Sequence, residues 1–190
     1  MVKKITIYEA LVPFLAKPKE KLHLANISRE IGQPHPTARQ WLNILESKGV
    51  LKKEYKGRLT LYQLNLQNPN IVDYWVIAEK NLLINQCEQN PVLAELVNYL
   101  HSNLGENVKS LIFGSASVTF KDAQDIDLLL IGNYDAKQLK VFAKRINKEL
   151  HIIGVKTLNK VSDTLRNEIL KKHLLIRGSE DFVRWFLLQQ

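Results

Sequence analysis

The sequence predicts an α+β chain of two unlike modules: a small basic one of three helices plus a β-hairpin, then a larger α/β one in which helices alternate with the strands of a small mixed sheet. Three observations predict this. Apolar residues recur at intervals of three and four early in the chain, and in alternation or short unbroken runs later. The polar stretch Asn65-Leu66-Gln67-Asn68-Pro69-Asn70 breaks both periods. Charge is divided unevenly, with 12 Lys and Arg against 5 Asp and Glu in residues 1–66, and 15 against 14 in residues 67–190. The expected organisation is therefore a first domain over 1–66, a connecting helix within 67–90 and a second domain over 91–190.

In the first domain the spacing predicts a helix from about Thr6 to Ala16, a second from Asn26 to Ile31 and a third from Pro36 to Lys48. Asn26 suits an N-cap, Gly32 begins the turn, Pro36 suits a first helical position, and Gly49 suits a stop. On the third helix Ala38, Trp41, Leu42 and Leu45 are expected to face the core, leaving Thr37, Arg39, Gln40 and Asn43 outward. Val50 to Leu64 reads as two strand arms around a turn at Lys56-Gly57-Arg58.

Helix, turn, helix and a basic hairpin resemble the winged helix-turn-helix domain of prokaryotic transcription regulators. The resemblance implies double-stranded DNA as partner. His35, Thr37, Arg39, Gln40 and Asn43 are the candidates for base edges, and Lys52, Lys53, Lys56 and Arg58 for phosphates. His35, between Pro34 and Pro36, is either a turn residue or a DNA contact. Excess positive charge in this half points the same way, because phosphate attraction supplies much of the affinity for DNA.

The connector is expected to be helical from Ile71 to about Glu88. Tyr74, Trp75, Ile77, Ala78, Leu82 and Leu83 give it more apolar surface than a lone exposed helix tolerates, so it packs between domains or forms a dimer seam. Regulators of this shape commonly bind paired half-sites as homodimers. Asn90-Pro91 then restarts the chain before a helix marked by Val92, Leu93, Leu96, Val97 and Leu100.

Chemistry concentrates between Leu111 and Gly132. An apolar run ends in Gly114-Ser115, nine residues follow, and a second apolar run begins Asp125-Ile126-Asp127. Residues two apart on a strand share a face, so Asp125 and Asp127 project together. Paired carboxylates suit Mg²⁺, which takes oxygen ligands and shares its shell with substrate phosphates. Gly114 lets backbone approach a phosphate, and Ser115 adds a hydroxyl and an amide donor. The remainder reads as a helix from Ala136 to Leu150, a strand from Ile152 to Leu158, a helix from Ser162 through Lys172 and a last helix from Glu180 to Leu188.

These residues resemble the nucleotidyltransferase superfamily typified by DNA polymerase β, over roughly Asn90 to Gln190. The resemblance implies an α/β nucleotidyltransferase core in which Asp125 and Asp127 are catalytic and hold Mg²⁺ (or Mn²⁺), and Gly114 and Ser115 hold a nucleoside triphosphate. Three departures stand out. The family's third carboxylate is missing, since no acid lies between Glu149 and Asp163 and Gly154 occupies the expected place. The loop Ala116 to Gln124 lacks an Arg-Gly pair, leaving Lys121 as its nucleotide-facing charge. Gln124 replaces a serine. Two functions follow: a DNA-associated enzyme moving a nucleoside monophosphate to a hydroxyl, or a transcriptional regulator whose second domain binds ligand or protein without turnover. Minimal domains of this kind also act as antitoxins toward a partner protein encoded nearby.

Composition excludes other classes. The single cysteine, Cys87, forms no internal disulfide, and no Cys/His set has zinc spacing. Met1-Val-Lys-Lys starts like a signal peptide, but Glu9 interrupts the apolar run. No segment is long and apolar enough to span a bilayer. A cytoplasmic protein is expected.

Overall fold

The computed structural model describes residues 6–187. Met1-Val-Lys-Lys and Leu188 fall outside them. The described residues form an α+β structure with two sheets, one of three strands and one of four. The chain divides into two compact units, residues 1–81 and 82–190.

The first unit opens with a 3-10 turn, Ile7–Leu11, running into helix α1, Val12–Leu15. Strand β1 is Leu22–His23, α2 is Leu24–Glu30 and α3 is His35–Ser47. Helix α2 starts two residues before the expected point because His23, not Asn26, caps it: the Ala25 amide donates to His23 Nδ1 at 3.2 Å. Gly49 ends α3, with the Gly49 and Val50 amides donating to the carbonyls of Glu46 and Leu45. Strands β2, Leu51–Lys56, and β3, Leu59–Leu64, form an antiparallel hairpin closed by the pair Lys56 and Leu59, and β1 adds to its far side in the order β1-β3-β2. Ala38, Leu42 and Leu45 are buried with Leu11, Phe14, Ile27 and Tyr62. Trp41 is only half-buried, so the core side of α3 is narrower than its spacing implies.

Helix α4, Ile71–Gln89, contributes its first part to one unit and its second to the other. Trp75 and Glu79 are both buried, and Trp75 Nε1 donates to Glu79 Oε1 at 2.9 Å. Ile77 and Ile84 stay exposed, seven residues apart on one helical face. Cys87 is half-buried, and burial pushes its thiol up.

In the second unit α5, Pro91–Asn103, is capped by Asn90, whose Oδ1 accepts from the Leu93 amide. The four strands are β4, Lys109–Phe113; β5, Asp125–Ile131; β6, Glu149–Val155; and β7, His173–Arg177. Their order is β6-β5-β4-β7. The β4–β5 and β4–β7 pairs are antiparallel and β5–β6 is parallel, giving a mixed sheet. Helices α6, Ala136–Arg145, α7, Asp163–Lys171, and α8, Ser179–Leu187, complete the unit.

One sheet face, carrying Ile112, Ile126, Leu128, Leu130, Leu150, Leu174 and Ile176, packs into a core with Leu93, Leu96, Leu100, Leu139 and Phe142 from α5 and α6. On the other, α8 packs on β7, with the Phe186 ring 4.9 Å from that of His173. Arg166 of α7 ends α8 by donating from Nη2 to the carbonyls of Trp185 at 2.6 Å and Phe186 at 2.9 Å.

The expected helix to Leu150 stops five residues early. Asn147 takes a left-handed φ of 53°, and the Lys148 amide returns to the Ala143 carbonyl at 3.1 Å. Asparagine tolerates this conformation and commonly ends helices in it. The following strand therefore begins at Glu149 rather than Ile152, which changes what stands beside the Asp-x-Asp pair.

Candidate functional site

Strand β4 ends at Phe113, which pairs with Asp127, so Gly114 follows at the level of that carboxylate. Gly114 has φ 70° and ψ −149°, and a Cβ built there would lie 2.7 Å from Asp127 Oδ2. Only glycine meets both conditions. The turn is held from both sides: the Gly114 amide donates to the Lys172 carbonyl at 3.2 Å, and Ser117 Oγ donates to the Gly114 carbonyl at 2.8 Å. Ser115 is exposed at the start of the short 3-10 turn Ser115–Ser117.

Asp125 is exposed and Asp127 half-buried, on the same face of β5. The parallel register sets Asp125 beside Glu149 and Asp127 beside His151. His151 Nδ1 lies 3.5 Å from Asp127 Oδ1, and Nε2 lies 4.0 Å from Glu149 Oε1. Asp125, Glu149 and His151 bring donor atoms within 4.8 Å of one another. The strand starts three residues earlier than the expected Ile152, so Glu149 lies on it beside Asp125. Gly154 pairs instead with Leu130, and Tyr134 occupies the space its Cβ would fill.

Lys121 is exposed in the loop before β5 and lines a cleft with Gln86, Gln89, Asn90 and Asp122, a cleft that Asp125 and Asp127 do not line. The cation that organises this loop is Lys148. Its Nζ donates to the carbonyl of Lys121 at 3.3 Å and to that of Ala123. Sequence reading missed Lys148, Glu149 and His151 together, and the one local signal was Asn147.

On the first unit, His35, Arg39 and Gln40 are exposed on α3, and Thr37 is half-buried. Offsets of three and four align His35, Arg39, Gln40 and Asn43 along one face. Asn43 is engaged by the hairpin: its Oδ1 accepts from Lys53 Nζ at 3.0 Å and from the Tyr62 hydroxyl at 3.3 Å. Lys53 Nζ also stands 5.3 Å from the Tyr55 ring centre and 5.9 Å from that of Tyr62. A hydrogen bond with Tyr55 pushes the Lys53 ammonium up, and burial pushes the Tyr62 hydroxyl up. Lys53 therefore ties hairpin to helix, whereas Lys56 and Arg58 are exposed, as is Lys52, whose Nζ donates to Gln67 Oε1 at 3.3 Å. Lys53→Met is expected to lower stability by about 0.5–1 kcal/mol through the lost hydrogen bond and ring contacts. Urea unfolding of wild type and variant checks this.

No protein-family model matches the chain, and no curated protein matches it. Among solved structures, the archaeal chromatin protein TrmBL2, described as showing a novel mode of DNA binding, is 18% identical over 86% of this chain and 69% of that one, with a TM-score of 0.29. A full-length OxyR variant from Pseudomonas aeruginosa is 12% identical over 93% of this chain and 79% of its own, also with a TM-score of 0.29. Similarity this low carries no argument about the fold or the role of this chain. Among the described residues, no helix is long and apolar enough to cross a membrane.

Proposed function

We propose that the chain is a double-stranded-DNA-binding protein whose second unit is of the nucleotidyltransferase type, binds a divalent-metal nucleoside triphosphate and transfers a nucleoside monophosphate to a hydroxyl acceptor. The observation that carries this reading is the meeting of Gly114, Asp125, Asp127 and Glu149 at one strand end. Three carboxylates from two adjacent strands fit a hard divalent cation, and the Gly114 turn fits close approach of a phosphate. A bound ion would neutralise phosphate charge and align the reacting atoms. Asp125, Asp127 and Glu149 would hold it, and Ser115 would donate to phosphate oxygens. In transfer, the acceptor oxygen bonds to the α-phosphorus, the bond to the β-phosphate breaks with loss of pyrophosphate, and the acceptor proton passes to a carboxylate of this group.

The DNA half is supported by the outer face of α3, with no acid in its first turn, beside the basic hairpin. Arg39 and Gln40 suit base edges in the major groove, with His35 and Thr37 beside them. Lys52, Lys56 and Arg58 suit phosphates. A homodimer on paired half-sites is the assembly that goes with this DNA-binding reading. A second reading, a regulator or antitoxin-like protein acting without turnover, is favoured by Ile153, which is 37% exposed on the site face of edge strand β6 and suits a protein partner.

Anisotropy of short labelled duplexes titrated with the full chain tests the DNA half. Affinity is expected to fall linearly with log salt, at about 0.9 per phosphate contact. Absence of duplex binding at low salt would remove that half of the proposal. Cytoplasmic residence and a role in transcription regulation follow from the reading and stand or fall with it.

A further inference from the structure

Helix α6 carries the cations Lys137, Lys140, Lys144 and Arg145 and no acid. Its buried residues Leu139, Phe142 and Ala143 fix the side turned to the core. Lys137, Lys140 and Lys144, spaced by three and four, share the opposite side, and all three are exposed. Among the described residues no ion pair engages these lysines, whereas Arg145 is paired with Glu95. Like charges at such offsets repel, so the row works against the helix as it stands. Helix α8 shows the usual relief, Arg184 Nη2 donating to Glu180 Oε1 at 2.8 Å one turn away. On α6 the lysines instead form a row about 10.5 Å long, which suits a row of phosphates.

A pocket opens beside this row. It has a volume of about 340 Å³, lies between α5 and α6, and is lined by Tyr99, Lys137, Gln138, Val141, Phe142 and Arg145. Its wall is aromatic: the Tyr99 and Phe142 rings stack with centres 3.9 Å apart and 14° between their planes. The Arg145 guanidinium stands 5.0 Å from the Phe142 ring centre, and Val141 is 70% exposed. A ring-lined pocket flanking a row of unpaired cations fits a polymer with charge along one edge and flat rings along the other. In a duplex the rings are paired and stacked inside, whereas a single strand can turn one outward onto an aromatic side chain. We infer that this face of the second unit binds single-stranded nucleic acid, with phosphates on Lys137, Lys140 and Lys144 and a base in the pocket of Tyr99, Val141 and Phe142. The surface uses neither the outer face of α3 nor the strand-end carboxylates, so its binding depends on neither part of the proposed function.

Anisotropy of labelled oligothymidylate, titrated with the full chain at stepped salt, reads this surface. Lys137→Gln/Lys140→Gln/Lys144→Gln is expected to flatten the slope of log affinity against log salt by about 2, or about 0.7 for each contact on a single strand. The matching lysine-to-arginine triple should keep the slope. Lys156→Gln/Lys160→Gln/Lys171→Gln removes the same charge from exposed positions elsewhere on the unit and should also keep it. Tyr99→Leu should weaken oligothymidylate binding by about 10-fold with the slope unchanged, because it removes a ring and no phosphate contact. No binding of oligothymidylate at low salt, or equal flattening in the two glutamine triples, would overturn the inference. Polyglutamate competing as well as oligothymidylate at equal charge would also overturn it, and would assign the face to an acidic protein segment. Failure of duplex binding or of triphosphate binding would remove those parts of the proposed function and leave this result standing.

Discussion

Gly114→Ala is expected to destabilise the full chain by about 1–3 kcal/mol, the cost of placing a side chain in this backbone region, and to abolish metal-dependent triphosphate binding. Two effects combine. At φ 70° and ψ −149° an alanine is strained whatever surrounds it, and its methyl would lie 2.7 Å from Asp127 Oδ2. Relief requires Asp127 to turn away, which pulls it from His151 and disorders the strand-end group. Ser115→Ala is the matched control. Ser115 is exposed, so its loss should change stability by less than about 0.5 kcal/mol. Urea unfolding of both variants reads the difference, and a Gly114→Ala protein as stable as the wild type would show that the turn tolerates a side chain.

The triple variant Lys52→Gln, Lys56→Gln, Arg58→Gln is expected to flatten the slope of log affinity against log salt by about 2.7, or roughly 0.9 for each phosphate contact removed. All three residues are exposed on the hairpin, so folding should be unaffected beyond about 0.5 kcal/mol. The contrast with Lys53 is informative, because that ammonium is committed to Asn43 and two tyrosine rings. An unchanged slope in the triple variant would mean that the hairpin does not lie along a phosphate backbone.

What the sequence made legible was local. The Gly-Ser and Asp-x-Asp elements each lie within a few residues, and strand alternation alone sets both aspartates on one face. Helix α3, its glycine stop and the hairpin were equally readable, because caps and turns act over single residues. The neighbours of the aspartates were not. They depend on which residue of β6 pairs with which of β5, and that register turned on Asn147 ending α6. Reading the helix through to Leu150 hid Glu149 inside it, left His151 outside the strand and moved attention to Gly154. Asn43 shows the same limit, since its helical position faces outward while the folded hairpin brings Lys53 and Tyr62 onto its carbonyl oxygen.

The central claim is that the strand end binds a metal-nucleotide, and calorimetric titration of ATP, GTP, CTP and UTP with Mg²⁺ or Mn²⁺ tests it most directly. Wild type and Asp125→Asn/Asp127→Asn would be compared at equal concentration, with and without the ion. The account predicts that at least one triphosphate binds, that binding needs the ion, and that it disappears in the double variant. No binding of any triphosphate to the wild type, or binding that survives in the variant, would contradict it.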